Sequence, residues 1–209
     1  FKVGLSGECA DELFGGYPWF AKDYNSFPWI QSIHERDELL KPTIREALNL
    51  TKTLDELYNK AIEPVSKESK HHQLLYLNQQ YFMQTLLERK DRMSMAQGLE
   101  VRVPFADHEL VEYVWHIPHE MKRMGGVEKG LLRHAFNRHL PEEVLWRKKN
   151  PFPKTHNPLY TKLVQDELES RYNDSQSILK QLFGQDAFKQ LIQSGGASFK
   201  KPWFGQLMT

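Results

Sequence analysis

Polar and apolar positions along the chain fall into two regimes. The opening run Phe1-Lys2-Val3-Gly4-Leu5 is short and apolar, and Ser6-Gly7 closes it. That pattern predicts a buried strand ending in a turn. Helical spacing then takes over. Leu74, Leu77 and Tyr81, with Leu75, Phe82 and Leu86, form one wide apolar stripe and predict a long helix over 66–96. Leu110/Val114 and Val111/Trp115 repeat the i,i+4 pattern behind Asp107, a suitable N-cap. Further helices are predicted around Leu131–Phe136, Tyr160–Tyr172, Ile178–Phe183 and Leu191-Ile192. Met93 and Met95 read as apolar gap-fillers.

Punctuation residues refine this picture. Thr53-Leu54-Asp55-Glu56 has capping-box spacing, in which hydroxyl and carboxylate satisfy two orphan amides reciprocally. Pro141 suits a first helical position, where its missing N–H costs nothing. Residues 98–105 and the proline-rich stretch 149–158 read as loops. The expected fold class is a mostly α-helical segment with one N-terminal β-strand. A lone strand leaves backbone donors and acceptors unpaired, so its partners are expected upstream of this chain.

Composition narrows the class of protein. At 209 residues the chain can bury roughly 70% of its unfolded surface, enough for a core without staples. No apolar run approaches the ~18 residues of a membrane helix, so no membrane partner is expected. Lys and Arg number 28 against 27 Asp and Glu, which argues against a nucleic-acid partner. One cysteine, Cys9, excludes an intrachain disulfide and suits a reducing, cytoplasmic location. The first residue is Phe1 with no signal peptide after it, and the chain is expected to be part of something longer.

Three constellations could carry chemistry. In Ser6-Gly7-Glu8-Cys9-Ala10-Asp11-Glu12, followed by Gly15-Gly16-Tyr17, a strand ends, small residues permit a tight turn and three carboxylates crowd together. Ligands of open α/β sheets bind at strand carboxyl ends, and carboxylate oxygens suit Mg²⁺. The same pattern is also explained as an acidic helix N-terminus. In Gly98-Leu99-Glu100-Val101-Arg102-Val103-Pro104-Phe105, alternation implies extended backbone with Glu100 and Arg102 on one face. A surface ion pair is the structural alternative. Glu128-Lys129 and the run Trp146-Arg147-Lys148-Lys149 offer cations to developing phosphoryl or acyl charge, or form a solvated basic loop. Ser194-Gly195-Gly196-Ala197-Ser198 imitates a pyrophosphate loop but lacks its aspartate and a preceding strand, so it reads as a connector. His71-His72 and His116/His119 lack zinc spacing and read as surface or core residues. Cys9 sits among acidic residues, which raise a thiol pKa and argue against a nucleophile.

In order and spacing, the segments 5–17, 91–105, 128–133 and 147–149 resemble the C-terminal synthetase domain of glutamine-hydrolysing asparagine synthetases. The resemblance spans most of 3–152 and favours the chemical over the structural explanations. It implies the C-terminal part of an α/β adenine-nucleotide α-hydrolase-like (ATP pyrophosphatase) synthetase domain, covering 1–209. It further implies that ATP and Mg²⁺ serve to adenylate aspartate, and that ammonia from a glutaminase domain attacks the β-aspartyl-AMP. By residue-wise match, Asp11 would ligate Mg²⁺, Ser6 and Gly7 would line the AMP site, and Glu8 would face the aspartyl and ammonia end. Lys149 would stabilise charge during ammonia attack, Lys129 would contact phosphate, and Arg102 would organise the site with Glu100.

The family's Ser-Gly-Gly-x-Asp-Ser loop and glutaminase domain are absent from these 209 residues, so the segment alone is expected to be inactive. Cys9 stands where many members have Gly, and Ala106 where many have Leu. A homodimer is compatible with the resemblance. The competing readings are an ATP-dependent amidotransferase or β-lactam-forming enzyme with another carboxylate acceptor, and a non-catalytic helical interaction module.

Overall fold

The structure, a computed structural model, describes residues 2–22, 24–30, 33–149 and 157–195. The chain divides into two compact units, Phe1–Trp29 with Leu57–Lys149, and Ile30–Glu56 with Asn150–Thr209.

The first unit begins with β1, Val3–Leu5, which finds a partner inside the chain. It pairs in parallel with β2, Glu100–Arg102, in the register Val3↔Glu100, Gly4↔Val101 and Leu5↔Arg102. Bonds from the Glu100 N–H to Lys2 O and from the Ser6 N–H to Arg102 O, both 2.9 Å, extend the ladder. This corrects the expectation of a single strand in this chain, and part of the predicted 98–105 loop is strand. The alternation of Glu100-Val101-Arg102 implies the extended backbone, but not its pairing with β1. The expected burial of β1 is also not met: Val3 is 43% and Leu5 78% exposed. A two-stranded ribbon has too little area to cover its own faces.

The long helix is present but starts later and is interrupted. It begins at Lys70, where the Ser69 side chain accepts from the His72 N–H, and runs to Leu77. A π-helical turn, Asn78–Phe82, links it to the helix Met83–Met95. Wide turns of this kind re-aim side chains and recur at functional sites. Met93 and Met95 are exposed rather than gap-filling. Asp107 caps His108–Trp115 by accepting from Glu109 and Leu110 N–H groups at 3.1 and 3.2 Å, as its position predicts.

Leu13, Phe14 and Val114 form one buried cluster with Phe105, Leu110, Val111, Ile117, Leu131 and Leu132 packed against it. It joins the short helix Ala10–Phe14 to the helix Gly130–Ala135 and so fixes two segments that carry chemistry. A second cluster packs Tyr17, Trp19 and Trp115 on Phe20, Leu74 and Leu75. A third sets Phe27, Trp29 and Ile62 on Tyr58, Ala61 and Leu77.

The second unit has its own core of Leu39, Val164, Leu168, Tyr172, Phe188, Leu191 and Ile192. The helices Pro158–Asn173 and Gln185–Ser194 supply most of it, and Tyr172 stacks on Phe188 at 4.7 Å. Thr53 does not cap a helix: it lies inside Leu50–Ile62 and donates its hydroxyl to Leu48 O. Asn49 takes that place, in a left-handed conformation that ends one helix and opens the next. Pro141 is the N-cap of Glu142–Leu145 rather than its first residue. Gly195 ends its helix in a left-handed cap, while 196–198 and the predicted loop at 150–156 lie outside the described residues.

Cys9 has φ +71°, a left-handed conformation that favours glycine and costs other residues about 1–2 kcal/mol. The departure from glycine at this position therefore stores strain in the turn. Cys9→Gly is expected to be at least as stable as Cys9→Ala in urea denaturation, although alanine keeps more of the buried side chain. A Cys9→Ala variant more stable than Cys9→Gly would contradict the strained assignment.

Candidate functional site

The turn after β1 carries its three carboxylates in different directions. Glu8 Oε1 pairs with Arg89 and Lys90 of the helix Met83–Met95, at 3.1 and 3.6 Å. Glu12, wholly buried, accepts from the Tyr17 hydroxyl at 2.5 Å. Glu8 Oε2 and Glu12 Oε2 are buried without hydrogen-bond partners. Asp11 meets two cations: Lys129 Nζ lies 2.9 Å from its Oδ1 and Lys149 Nζ 3.0 Å from its Oδ2. The structure thus brings together three expected residues, Asp11, Lys129 and Lys149.

The backbone is arranged around this carboxylate. Gly15 takes a left-handed φ of +67°, and the Gly16 N–H donates to Asp11 O at 2.8 Å. A Cβ on Gly16 would fall 1.8 Å from Asp11 Oδ1, so a side chain there is incompatible with the observed carboxylate position. Lys129 itself sits at φ +53°, a strained conformation of the kind found at functional sites. The next residue must be glycine, because a Cβ on Gly130 would fall 2.1 Å from Met124 O.

Arg133 ties the two lysine segments together. Its Nε donates to Glu128 O at 2.9 Å, Nη1 to Leu145 O, and Nη2 to Arg147 O at 3.3 Å. One planar guanidinium therefore fixes the residue before Lys129 and a residue just short of Lys149. Lys149 also lies 4.1 Å from the centroid of the Tyr17 ring, a cation–π contact. Tyr17 is held by stacking on Trp19 at 4.3 Å and an edge contact with Phe82 at 5.5 Å. Phe82 stands in the π-helical turn, as does buried Asn78, whose side-chain oxygen accepts from Trp19 at 3.4 Å.

These contacts decide the protonation states. Burial alone would raise the Asp11 pKa, but the hydrogen bonds and charges of Lys129 and Lys149 outweigh it and hold the carboxyl below its ordinary value of 3.8. Burial raises Glu12 instead, against the pull of the Tyr17 hydroxyl and of Lys149. Burial and the bond to Glu12 push Tyr17 up, so it stays a hydroxyl donor. Burial, with Glu12 and Glu8, pushes the Cys9 thiol up to about 12, in line with its reading as no nucleophile.

Other expected residues stand apart from the Asp11 cluster. Glu100 and Arg102 share a face as predicted and pair at 2.8 Å, but both are exposed. Such a pair is worth about 0–1 kcal/mol. Ser6 Oγ accepts from the Glu8 N–H at 3.4 Å and rigidifies the turn. Nothing lies within 4 Å of where a Gly7 Cβ would stand, so backbone there is open to a ligand. The sequence reading gave no role to Arg89, Lys90, Tyr17, Gly16 or Arg133. Only the Gly15-Gly16-Tyr17 run hinted at two of them.

The arrangement is a preorganised pair of ammonium groups at the carboxyl end of a parallel strand, anchored on one aspartate. It can stabilise negative charge on a phosphoryl or acyl group. A magnesium ion needs only one or two carboxylates when phosphates complete its shell. In the acidic turn Glu12 is wholly buried and both Asp11 oxygens are taken by lysines, so Asp11 could serve such an ion only by releasing one of them. Among the described residues no cluster of three or more His, Cys, Asp or Glu could hold a metal by itself.

The family model described as asparagine synthase matches residues 1–208. The chain is 49% identical over 217 residues to the glutamine-hydrolysing asparagine synthetase 3 of Bacillus subtilis (strain 168). That match covers 100% of the chain and 35% of the relative, so the chain spans about a third of its length. The glutamine-hydrolysing asparagine synthetases of Mesocricetus auratus and Homo sapiens are 36% and 35% identical over 124 residues. Each match covers 56% of this chain and 21% of the relative.

The charge balance around Asp11 is testable by ¹³C carboxylate NMR. Because its folded pKa is depressed, its contribution to stability is present above about pH 3.8 and is lost as pH falls through the folded value. Replacing both lysines by methionine leaves burial uncompensated, so the Asp11 pKa should rise above 3.8. Gly16→Ala should move it upward as well, by driving the carboxylate off its cations. An unchanged Asp11 titration in both variants would contradict the assignment.

Proposed function

The chain belongs to the asparagine synthase family, and from that premise we propose that it forms the aspartate-activating part of a glutamine-hydrolysing asparagine synthetase. In this reading the aspartate side-chain carboxylate attacks the α-phosphorus of ATP, forming β-aspartyl-AMP and releasing pyrophosphate. Ammonia then attacks the acyl carbon, AMP leaves with the bonding pair, and asparagine results after loss of a proton. The ammonia comes from glutamine hydrolysed by a glutaminase domain, and that domain and the pyrophosphate-binding loop lie outside these 209 residues. A cytoplasmic location suits these soluble substrates and the single unpaired cysteine. Among the described residues no helix is long and apolar enough to cross a membrane.

The observation that carries the proposal is the convergence of Lys129 and Lys149 on Asp11 in the turn that follows β1. Lys149, oriented by Asp11 and Tyr17, is the group that offsets negative charge as ammonia adds to the acyl-adenylate. Lys129 contacts phosphate, and Ser6 and Gly7 line the AMP site. Glu8 faces the aspartyl and ammonia end, its Oε2 unpartnered and its Oε1 fixed by Arg89 and Lys90. Arg102, with Glu100, supports the strand beside the turn. Mg²⁺, when bound, would neutralise charge on the pyrophosphate, with Asp11, released from one of its lysines, as the protein residue that would hold it.

The test is asparagine formation and pyrophosphate release by the complete protein with Mg-ATP and ammonium, with and without aspartate. Aspartate-dependent release is expected, and Lys149→Ala should lower asparagine formation by about 10²–10³-fold, the loss typical of one preorganised charge-stabilising group. Release that ignores aspartate, or an unimpaired Lys149→Ala variant, would overturn the proposal.

A further inference from the structure

The first unit holds a second concave place that shares no residue with the Asp11–Lys129–Lys149 cluster. It is a cavity of about 270 Å³ beside the start of the helix Lys70–Leu77 and the short helix His119–Lys122. Four histidines line it, His71, His72, His116 and His119, together with Lys122 and the exposed Glu120. The His71 and His119 rings stack at 3.9 Å, and His72 Nδ1 lies 3.1 Å from Ser69 Oγ.

Lys122 is the anomaly. It is only 3% exposed, yet among the described residues its ammonium has neither an ion pair nor a hydrogen bond. Its stem is buried while its ammonium is not among the buried unpartnered atoms, so the charge is left open to a ligand or to water. Burial lowers its pKa only to about 8, so it is mainly charged at neutral pH. Burial also lowers His119 to about 4, with His71 and Arg123 adding to the effect. His119 is then a neutral ring with one N–H to donate. Lys122 and the four imidazoles line one cavity, a set of cationic and N–H-donating groups with the exposed Glu120 as the carboxylate among its lining residues.

We propose that this cavity binds a small oxyanion, phosphate or carboxylate, with Lys122 as its counter-charge and histidine ring N–H groups as hydrogen-bond donors. The volume admits a single small molecule rather than a nucleotide, since drug-sized ligands take pockets of about 300–1,000 Å³. The site is separate from the chemistry assigned to Asp11 and its lysines. Gly15 nevertheless lines the cavity, next to the Gly16 that packs on Asp11.

Inorganic phosphate and acetate are the probes, titrated separately into the complete protein and followed by thermal shift and histidine ¹H–¹⁵N NMR. Saturable binding of at least one probe is expected, and which one binds distinguishes the two chemistries. Lys122→Met should weaken it about tenfold or more, as removal of a charge-assisted hydrogen bond does. The Lys129→Ala/Lys149→Ala double variant should retain it. Histidine resonances of the wild-type chain should shift with the same saturation curve, which supplies a readout even if Lys122→Met fails to fold. Binding of neither probe, binding lost in the Lys129/Lys149 variant but kept in Lys122→Met, or saturation without histidine shifts would each overturn the proposal.

Discussion

One carboxylate shared by two ammonium groups organises the first unit. Asp11 stands in the turn that closes β1, while Lys129 and Lys149 come from far along the chain. Two lysines brought this close repel each other, and a half-buried aspartate is destabilised by desolvation. Together the three groups compensate one another, and the cost of each becomes the reason the others are fixed. The core of Leu13, Phe14 and Val114 with Leu131 and Leu132 holds the aspartate helix against the helix that begins beside Lys129.

Backbone features around the triad make sense as consequences of that constraint. Gly16 has no side chain because the carboxylate occupies the space where a Cβ would stand. Lys129 adopts a left-handed conformation, and Gly130 follows because backbone of Met124 presses against it. Arg133 holds three carbonyls and so sets the spacing between the lysine segments. Tyr17 gives Lys149 a second fixed contact, and the π-helical turn supplies the residues that hold Tyr17 and Trp19. These features hold two ammonium groups in fixed positions, without waiting for solvent to reorganise.

Much of this was legible in the sequence, but unevenly. The strand, its turn and the amphipathic helices announce themselves by contiguous patterns, and Asp107 caps its helix where the polarity switch predicts. The pairing of β1 with Glu100–Arg102 is non-local and rests on three residues a strand, so periodicity cannot reveal it. Asn49 outcompetes the Thr53 capping box because a left-handed residue can end one helix and open another. Spacing could flag Asp11, Lys129 and Lys149 only as separate acidic and basic clusters. Their convergence, and the roles of Arg133 and Gly16, depend on tertiary placement. The four histidines lacked zinc spacing, and nothing in their order signalled that they surround a buried lysine.

The central claim is that Asp11 acts through the lysines it holds. A double-mutant cycle of Asp11→Asn and Lys149→Met on aspartate-dependent asparagine formation by the complete protein tests it most directly. The account predicts strongly non-additive losses, with a coupling energy of about 1–3 kcal/mol, because either substitution alone dismantles the shared arrangement. Losses that add to within about 0.5 kcal/mol would mean that the two residues act independently, and would contradict it.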